Sequence, residues 1–213
     1  MTTSGARVVL ATRNAHKVTE VRAILADALA VADHAEVDLD LAVVGLDAFD
    51  LPDVVESGVT FAENALLKAS AAARATGLAA VADDSGLAVD VLGGAPGVFS
   101  ARWCGRHGDD RANLDLLLAQ LVDVPDGHRG ARFVCAVALV LPDGSQHVEH
   151  GELVGELLHA PAGDNGFGYD PVLRPTGGPL SCAERTPEQK NAISHRGQAV
   201  RAMVPRLLTL LAR

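Results

Sequence analysis

The sequence predicts an α/β fold, and three stretches carry that expectation. Residues 8–12 form a short apolar run that passes at once into polar turn residues. A helical pattern over 15–29 follows, where Val18, Val21, Leu25 and Leu29 recur on one face. Thr60 and Glu63 open a second helix as a capping box, and an Ala-rich run continues to Thr76. Gly77 fits the position just past the helix end, and an apolar strand over 78–82 comes next. Residues 133–141 are apolar without a break, the pattern of a central strand buried on both faces.

The other elements follow from local pattern. Turn formers and acids occupy 47–58, and on the second helix Asn64 and Lys68, four apart, share a face. Alternation over 87–91 predicts another short strand after Asp83-Asp84-Ser85-Gly86, and Gly93-Gly94-Ala95-Pro96-Gly97 predicts a loop. A third helix starts near Asp109 with Leu114, Leu117, Leu118 and Leu121 as its buried stripe. Pro142-Asp143-Gly144-Ser145 turns the chain into a more polar strand ending near Leu157, and residues 163–170 form a glycine-rich loop. Val200, Met203, Val204, Leu207, Leu208 and Leu211 stripe a last helix, with Pro205 off the stripe and able to bend it. With no repeat, linker or low-complexity segment, residues 1–213 are expected to form a single domain.

Composition narrows the partners. A net charge of -9 argues against a nucleic-acid polymer, which needs a contiguous basic surface. It leaves a nucleotide open, since a few placed cations or a divalent metal suffice there. Cys104, Cys135 and Cys182 are far apart and provide neither a zinc framework nor an even disulfide count, which fits a reducing cytoplasm. The apolar run at 8–11 is too short for a signal-peptide core or a membrane span, so no membrane partner is expected.

Several groups could carry chemistry. Asp83-Asp84-Ser85-Gly86 follows an apolar strand; its carboxylates suit Mg²⁺, and its residue types also suit an Asx-type turn. If the strand continues, the two carboxylates project to opposite sides. Glu56 lies in a polar connection with no spacing rule linking it to Asp84. Thr12-Arg13-Asn14, with Lys17 and Glu20 on one helix face, could cradle phosphates or form a capped helix start with an ion pair. No Walker loop occurs. Gly166-Phe167-Gly168-Tyr169-Asp170-Pro171 sets aromatics between glycines, suited to a planar ligand or to a tight loop with Phe167 in the core. Lys190, His195 and Arg196 form a basic turn ahead of the last helix, behind Thr186 as cap and Pro187 at the first helical position. His16, His34, His107, His128, His147, His150 and His159 show no metal-ligand spacing, and His147 and His150 read as surface positions.

The order of these segments resembles the inosine triphosphate pyrophosphatase family. The resemblance rests on residues 8–12 with Asn14 and Lys17, on Thr60-Phe61-Ala62-Glu63-Asn64-Ala65 with Lys68, and on 82–87 through 93–97. Ser100-Ala101-Arg102, residues 166–171 and Ser194-His195-Arg196 complete it. It implies a mixed central β-sheet flanked by helices, two lobes with a nucleotide cleft between them, and a homodimer. It further implies hydrolysis of deaminated purine nucleoside triphosphates (ITP, dITP, XTP) to the monophosphate and pyrophosphate. Thr12, Arg13, Asn14, Ala15, His16 and Lys17 would meet the phosphates, with Lys68 beside them. Glu56 and Asp84 would hold Mg²⁺, with Asp84 as catalytic proton acceptor and Ser85 near the substrate. Phe167 would stack on the base, while Gly168, Tyr169, Asp170, Lys190, His195 and Arg196 would read it or secure the nucleotide. Arg13 departs from the glycine frequent in the family, and two roles are open to it: facing solvent, or adding a cation at the cleft rim. Two other functions stay open: a pyrophosphatase for modified pyrimidine triphosphates, and a nucleotide-sensing module that does not hydrolyse.

Overall fold

The computed structural model describes residues 6–13, 15–31 and 38–211. In chain order the elements are β1 (Val8–Leu10), α1 (Ala15–Val31), α2 (Leu39–Ala42), β2 (Val43–Gly45), α3 (Phe61–Thr76), β3 (Ala79–Val89), α4 (Asp110–Gln120), β4 (Gly130–Val140), β5 (Gln146–Leu157), β6 (Leu173–Pro175), α5 (Pro187–Ile193) and α6 (His195–Leu211). The six strands form one sheet in the order β2-β1-β3-β4-β5-β6. β1 pairs in parallel with β2 (Val8 opposite Val43) and with β3 (Val8 opposite Ala79), whereas β5 and β6 are antiparallel. The sheet is therefore mixed and flanked by helices, as expected.

The chain divides into two compact units. One comprises Met1–Asp84, Ala136–Gly151 and Arg196–Arg213, and the other Ser85–Cys135 and Glu152–His195. Each has its own core. In the first, Ala65, Ala69, Ala72 and Ala73 of α3 pack with Val9, Ala80, Ala82, Ala136 and Ala138 of the strands. Such small side chains allow close approach of helix to sheet, which brings the polar positions of α3 near the strand ends. In the second, Leu87, Leu114, Leu117, Leu121, Phe133, Leu157, Tyr169 and Leu173 make a core of larger side chains.

Local expectations hold for most elements. Thr60 and Glu63 form the capping box of α3, and Gly77 adopts the left-handed conformation at its C-terminus. Asp109 caps α4, and Thr186 with Gln189 caps α5 behind Pro187. β4 alternates in burial over its first half and is buried on both faces over 135–140, as an interior strand should be. Helix α6 continues through Pro205, which is exposed and off the buried stripe of Val200, Met203, Val204, Leu207 and Leu211; Leu208 is only partly buried.

Two boundaries differ. Residues 79–89 form one strand, not two strands separated by a turn at Asp83-Asp84-Ser85-Gly86. Gly86 is extended here because its backbone lies against Ser100 and Gly97: a Cβ would sit 2.4 Å from Ser100 Oγ and 2.6 Å from the Gly97 carbonyl oxygen. Ser100 secures this approach by accepting from the Leu87 amide at 2.9 Å. Glycine thus serves close packing in mid-strand instead of turning the chain. His195 and Arg196 are the first residues of α6, one step later in the structure than the basic turn expected ahead of it.

Arg129 is buried in the second unit without relying on a carboxylate for its hydrogen bonds. Its Nε donates to the Leu157 carbonyl at 2.8 Å, Nη1 to Leu121 at 2.8 Å and Val124 at 3.3 Å, and Nη2 to Leu158 at 2.9 Å. The planar fork satisfies carbonyls at the end of α4 and the end of β5 at once. Replacing Arg129 with Met would remove these donors together; the Leu121 carbonyl keeps the Val124 amide at 3.0 Å, whereas the buried Leu157 carbonyl loses Arg129 Nε, and each acceptor left unsatisfied costs about 1–3 kcal/mol. Urea unfolding of Arg129→Met is expected to show a stability loss of about 3 kcal/mol or more.

Candidate active site

Strand pleating sends Asp83 and Asp84 to opposite sides of β3, and the two carboxylates meet different partners. Asp83 is buried and lies 2.9 Å from Lys17 Nζ of α1 and 3.0 Å from Arg196 Nε of α6. Arg196 is 2% exposed and also pairs with Glu20 of α1 at 2.6 Å. Burial opposes ionisation of Asp83, but Lys17, Arg196 and Lys68 outweigh it and hold its carboxyl far below the usual range. The four side chains form a charge network that joins α1, β3 and α6 within one unit.

Asp84 faces α3. Its Oδ2 accepts from Asn64 Nδ2 at 3.0 Å, and Lys68 Nζ lies 3.6 Å from Oδ1. Asn64 and Lys68, one turn apart, therefore address the same carboxylate. Asn64 is fully buried, and its own Oδ1 accepts from the Gly58 amide at 2.8 Å, so its orientation is set from both ends. Lys68 Nζ also lies 2.6 Å from Glu56 Oε1, which links the 47–58 connection to β3. Burial pushes the Asp84 carboxyl above its ordinary value, Lys68 and Asn64 pull it down, and nearby Glu56 adds to the rise. Lys68 is held in its charged form: desolvation is outweighed by Asp84, Asp83 and Glu56.

Glu56 and Asp84 are hard oxygen donors close enough to repel, a pairing that a divalent cation relieves. In this structure Lys68 takes up that charge, and among the described residues no group of three or more metal-ligating side chains is assembled. Two carboxylates with phosphate oxygens and water completing the shell is the usual way Mg²⁺ is held, so the donor set fits it.

The first loop is partly described. Thr12 follows β1 and is partly buried, Asn14 lies outside the described residues, and the side chains of Ala15 and His16 are likewise not described. Arg13 is exposed, and its guanidinium also has partners on the protein. Its Nε lies 3.0 Å from Asp53 and its Nη2 donates to the Leu51 carbonyl, so it ties the first loop to the segment leading to Glu56.

The second unit holds a separate group. Lys190 of α5 lies 2.6 Å from Asp170 Oδ2, which also accepts from the Phe167 amide at 2.9 Å. The Lys190 ammonium stands 5.0 Å from the centroid of the Phe167 ring, which is 43% exposed, so Phe167 is not a core residue. Gly166 has φ +78°, and a Cβ there would sit 2.1 Å from Asp170 Oδ2; the turn requires glycine twice over. Tyr169 is buried and donates to the Ser100 carbonyl at 3.0 Å, and burial raises its phenol above the ordinary value. His195 stacks on Phe133 with centroids 4.9 Å apart. Ser85 is partly buried beside Gly86.

Thus Lys17, Glu56, Lys68, Asp84 and Arg196 fall within the first unit, and Phe167, Gly168, Tyr169, Asp170, Lys190 and His195 within the second. Sequence reasoning left Asp83 without a role and did not count Asn64 among the site residues. A polar amide four residues before Lys68 in an Ala-rich helix was the available signal for Asn64; the partners of Asp83 lie 66 and 113 residues away and gave none.

A mixed α/β sheet with a cation-bridged acid pair, and an exposed aromatic beside a Lys–Asp pair, are parts that suit a nucleotide-processing α/β protein. The chain belongs to the Ham1 family, whose model matches residues 8–206. It is 66% identical to a dITP/XTP pyrophosphatase of Streptomyces avermitilis over 96% of this chain and 98% of that one. It is 54% identical to a dITP/XTP pyrophosphatase of Nocardia farcinica over 98% of both chains. Among solved structures, a nucleoside-triphosphatase / dITP/XTP pyrophosphatase from Mycobacterium abscessus matches with TM-score 0.75 and 48% identity, covering 93% of this chain and 99% of that one. A HAM1 protein from Coxiella burnetii matches with TM-score 0.83 and 38% identity over 96% and 99%.

Removing Asp83 would leave Arg196 and Lys17 facing each other across a buried position, and breaking one side of a buried ion pair costs about 3–5 kcal/mol. Asp83→Asn is expected to lower the thermal midpoint markedly, read by calorimetry, with a much smaller loss in Glu20→Gln, where Arg196 keeps Asp83.

Proposed function

We propose that this protein hydrolyses deaminated purine nucleoside triphosphates, ITP, dITP and XTP, to the monophosphate and pyrophosphate, with Mg²⁺ held by Glu56 and Asp84. The observation that carries the reading is the bridge Glu56–Lys68–Asp84, in a chain two-thirds identical to a dITP/XTP pyrophosphatase. When bound, the metal supplies charge neutralisation at the phosphate oxygens. Asp84, its carboxyl raised and its orientation set by Asn64, accepts the proton of the attacking water. Lys68 turns from the carboxylates to the phosphate charge, and Lys17 and the loop at Thr12 add to it. Arg13 fixes that loop against the segment that bears Glu56 and need not touch the substrate.

Phe167 offers a stacking face for the purine. The Lys190 ammonium and the Asp170 carboxylate supply a donor and an acceptor, which match the 6-oxo group and N1–H of a deaminated purine. Adenine presents the reverse pattern at both positions, and unmade buried hydrogen bonds discriminate strongly. Arg196 works through Asp83, holding the strand that carries Asp84. The family resemblance supports a cytoplasmic homodimer of single-domain chains; among the described residues no helix is long and apolar enough to cross a membrane.

Incubation with Mg²⁺ and ITP, XTP, dITP, GTP, ATP or dUTP, separating pyrophosphate from orthophosphate, tests the reading. Pyrophosphate released preferentially from ITP and XTP is expected; preference for dUTP would favour the pyrimidine alternative, and tight binding without product a sensor. Asp84→Asn is expected to keep the fold and lose turnover by about a hundredfold or more; near-wild-type rates with ITP would sink its role. Phe167→Ala is expected to weaken nucleotide binding by about tenfold, the size of one lost base-stacking contact, as read by KM for ITP.

A further inference from the structure

The loop that carries Phe167 is fixed by contacts on several sides, and one of them comes from a residue outside the motifs. Asp170 accepts from the Phe167 amide at its C-terminal side, and Tyr169 is anchored to the Ser100 carbonyl. Gly168, between the two aromatics, has φ +60° and donates its amide to Asp110 Oδ2 at 3.0 Å. Asp110 is the first residue of α4, but the helix is capped by Asp109, whose side chain accepts from the Ala112 amide. The Asp110 carboxylate is thereby directed to the loop and not to its own helix end.

We propose that Asp110 is a positioning residue for base recognition, and the inference rests on the proposed pyrophosphatase reading. Gly168 has no side chain to pack, so hydrogen bonds determine how far its peptide can swing. Phe167 is attached directly to that peptide and is 43% exposed, so little core packing holds its ring. A swing at Gly168 would tilt the ring face and move it relative to Lys190 and Asp170, the two groups offered to the purine edge. A carboxylate accepting from a backbone amide is a charge-assisted bond, stronger than a neutral one. It lets the loop meet the purine already ordered, so that less of the binding energy is lost to immobilising it. Asp110 is exposed and α4 keeps its Asp109 cap without it, so its removal spares the fold.

The test compares Asp110→Ala with Asp110→Asn, which retains an acceptor oxygen. In Asp110→Ala the KM for ITP is expected to rise about five- to tenfold, the size of one lost charge-assisted hydrogen bond. The kcat should stay within about twofold, the thermal midpoint should be unchanged, and inhibition by inorganic tripolyphosphate, which has no base, should be unaffected. Exchange of the Gly168 amide with solvent should accelerate in Asp110→Ala, and Asp110→Asn should restore both the exchange protection and the KM. An unchanged KM alongside faster Gly168 exchange overturns the positioning role, and so does equal loss of affinity for ITP and tripolyphosphate. Absence of pyrophosphate release by the wild-type protein would instead be a failure of the proposed activity. Inosine monophosphate titrated by calorimetry into wild type and Asp110→Ala then decides: weaker binding to the variant supports Asp110, and equal affinities overturn it.

Discussion

The pleat of β3 puts two adjacent carboxylates on opposite sides of one strand, and the first unit is arranged around keeping them apart. Had the chain turned at Asp83-Asp84, both acids would have shared a surface environment and similar ionisation. The strand instead continues to Val89 because Gly86 can lie against Ser100. Two charges side by side in sequence then face separate sets of helices, α1 and α6 for one and α3 for the other. Their direct contacts differ, although Lys17 and Lys68 act on both.

The tuning differs in sign, and the reason is the number of cations each acid receives. Both are buried, and burial alone disfavours the charged form. Asp83 has Lys17 and Arg196 in direct contact, and ionisation wins decisively. Asp84 has one ammonium at longer range, shared with Glu56, and its carboxyl rises. A permanently ionised, doubly paired acid is suited to holding elements together. An acid with a raised carboxyl, one neutral donor and a shared cation is suited to binding a metal or taking up a proton. The division of labour inside Asp83-Asp84 thus comes from neighbours brought in by the fold and not from the residues themselves.

Much of this frame was legible in the sequence wherever the cause was local. The capping box at Thr60, the cap at Thr186, the αL glycine at Gly77, the buried β4 and the Asn64/Lys68 face are all set within a few residues, and all appear as expected. The failures share the opposite character. The turn expected at Asp83–Gly86 was displaced by a contact with Ser100, fourteen residues on from Gly86. The network around Asp83 draws on Glu20 and Arg196, 176 residues apart. Arg13 was legible as a departure, but its partners at Leu51 and Asp53 belong to a connection without periodicity. Phe167 could have been core or surface by pattern alone, and only its exposure decides between them. Motif order pointed to candidate residues; their partners became visible only in three dimensions.

The proposed base recognition also constrains what the second unit must do beyond the Lys190–Asp170 pair. A donor toward the 6-oxo group and an acceptor toward N1–H suit hypoxanthine and xanthine, and they suit guanine equally. Any discrimination against GTP would therefore have to act at the 2-position, where hypoxanthine carries hydrogen, xanthine an oxygen and guanine an amino group. An acceptor placed there would favour guanine, and a purely steric block would exclude xanthine with it. A backbone amide facing that position would donate to the xanthine oxygen, tolerate hydrogen and leave guanine with donor against donor. Such discrimination depends on a donor that does not turn away, since a peptide free to rotate would relieve the conflict. In the glycine-rich loop the Phe167 and Gly168 amides are already committed to Asp170 and Asp110, so such a donor would have to be a different backbone amide.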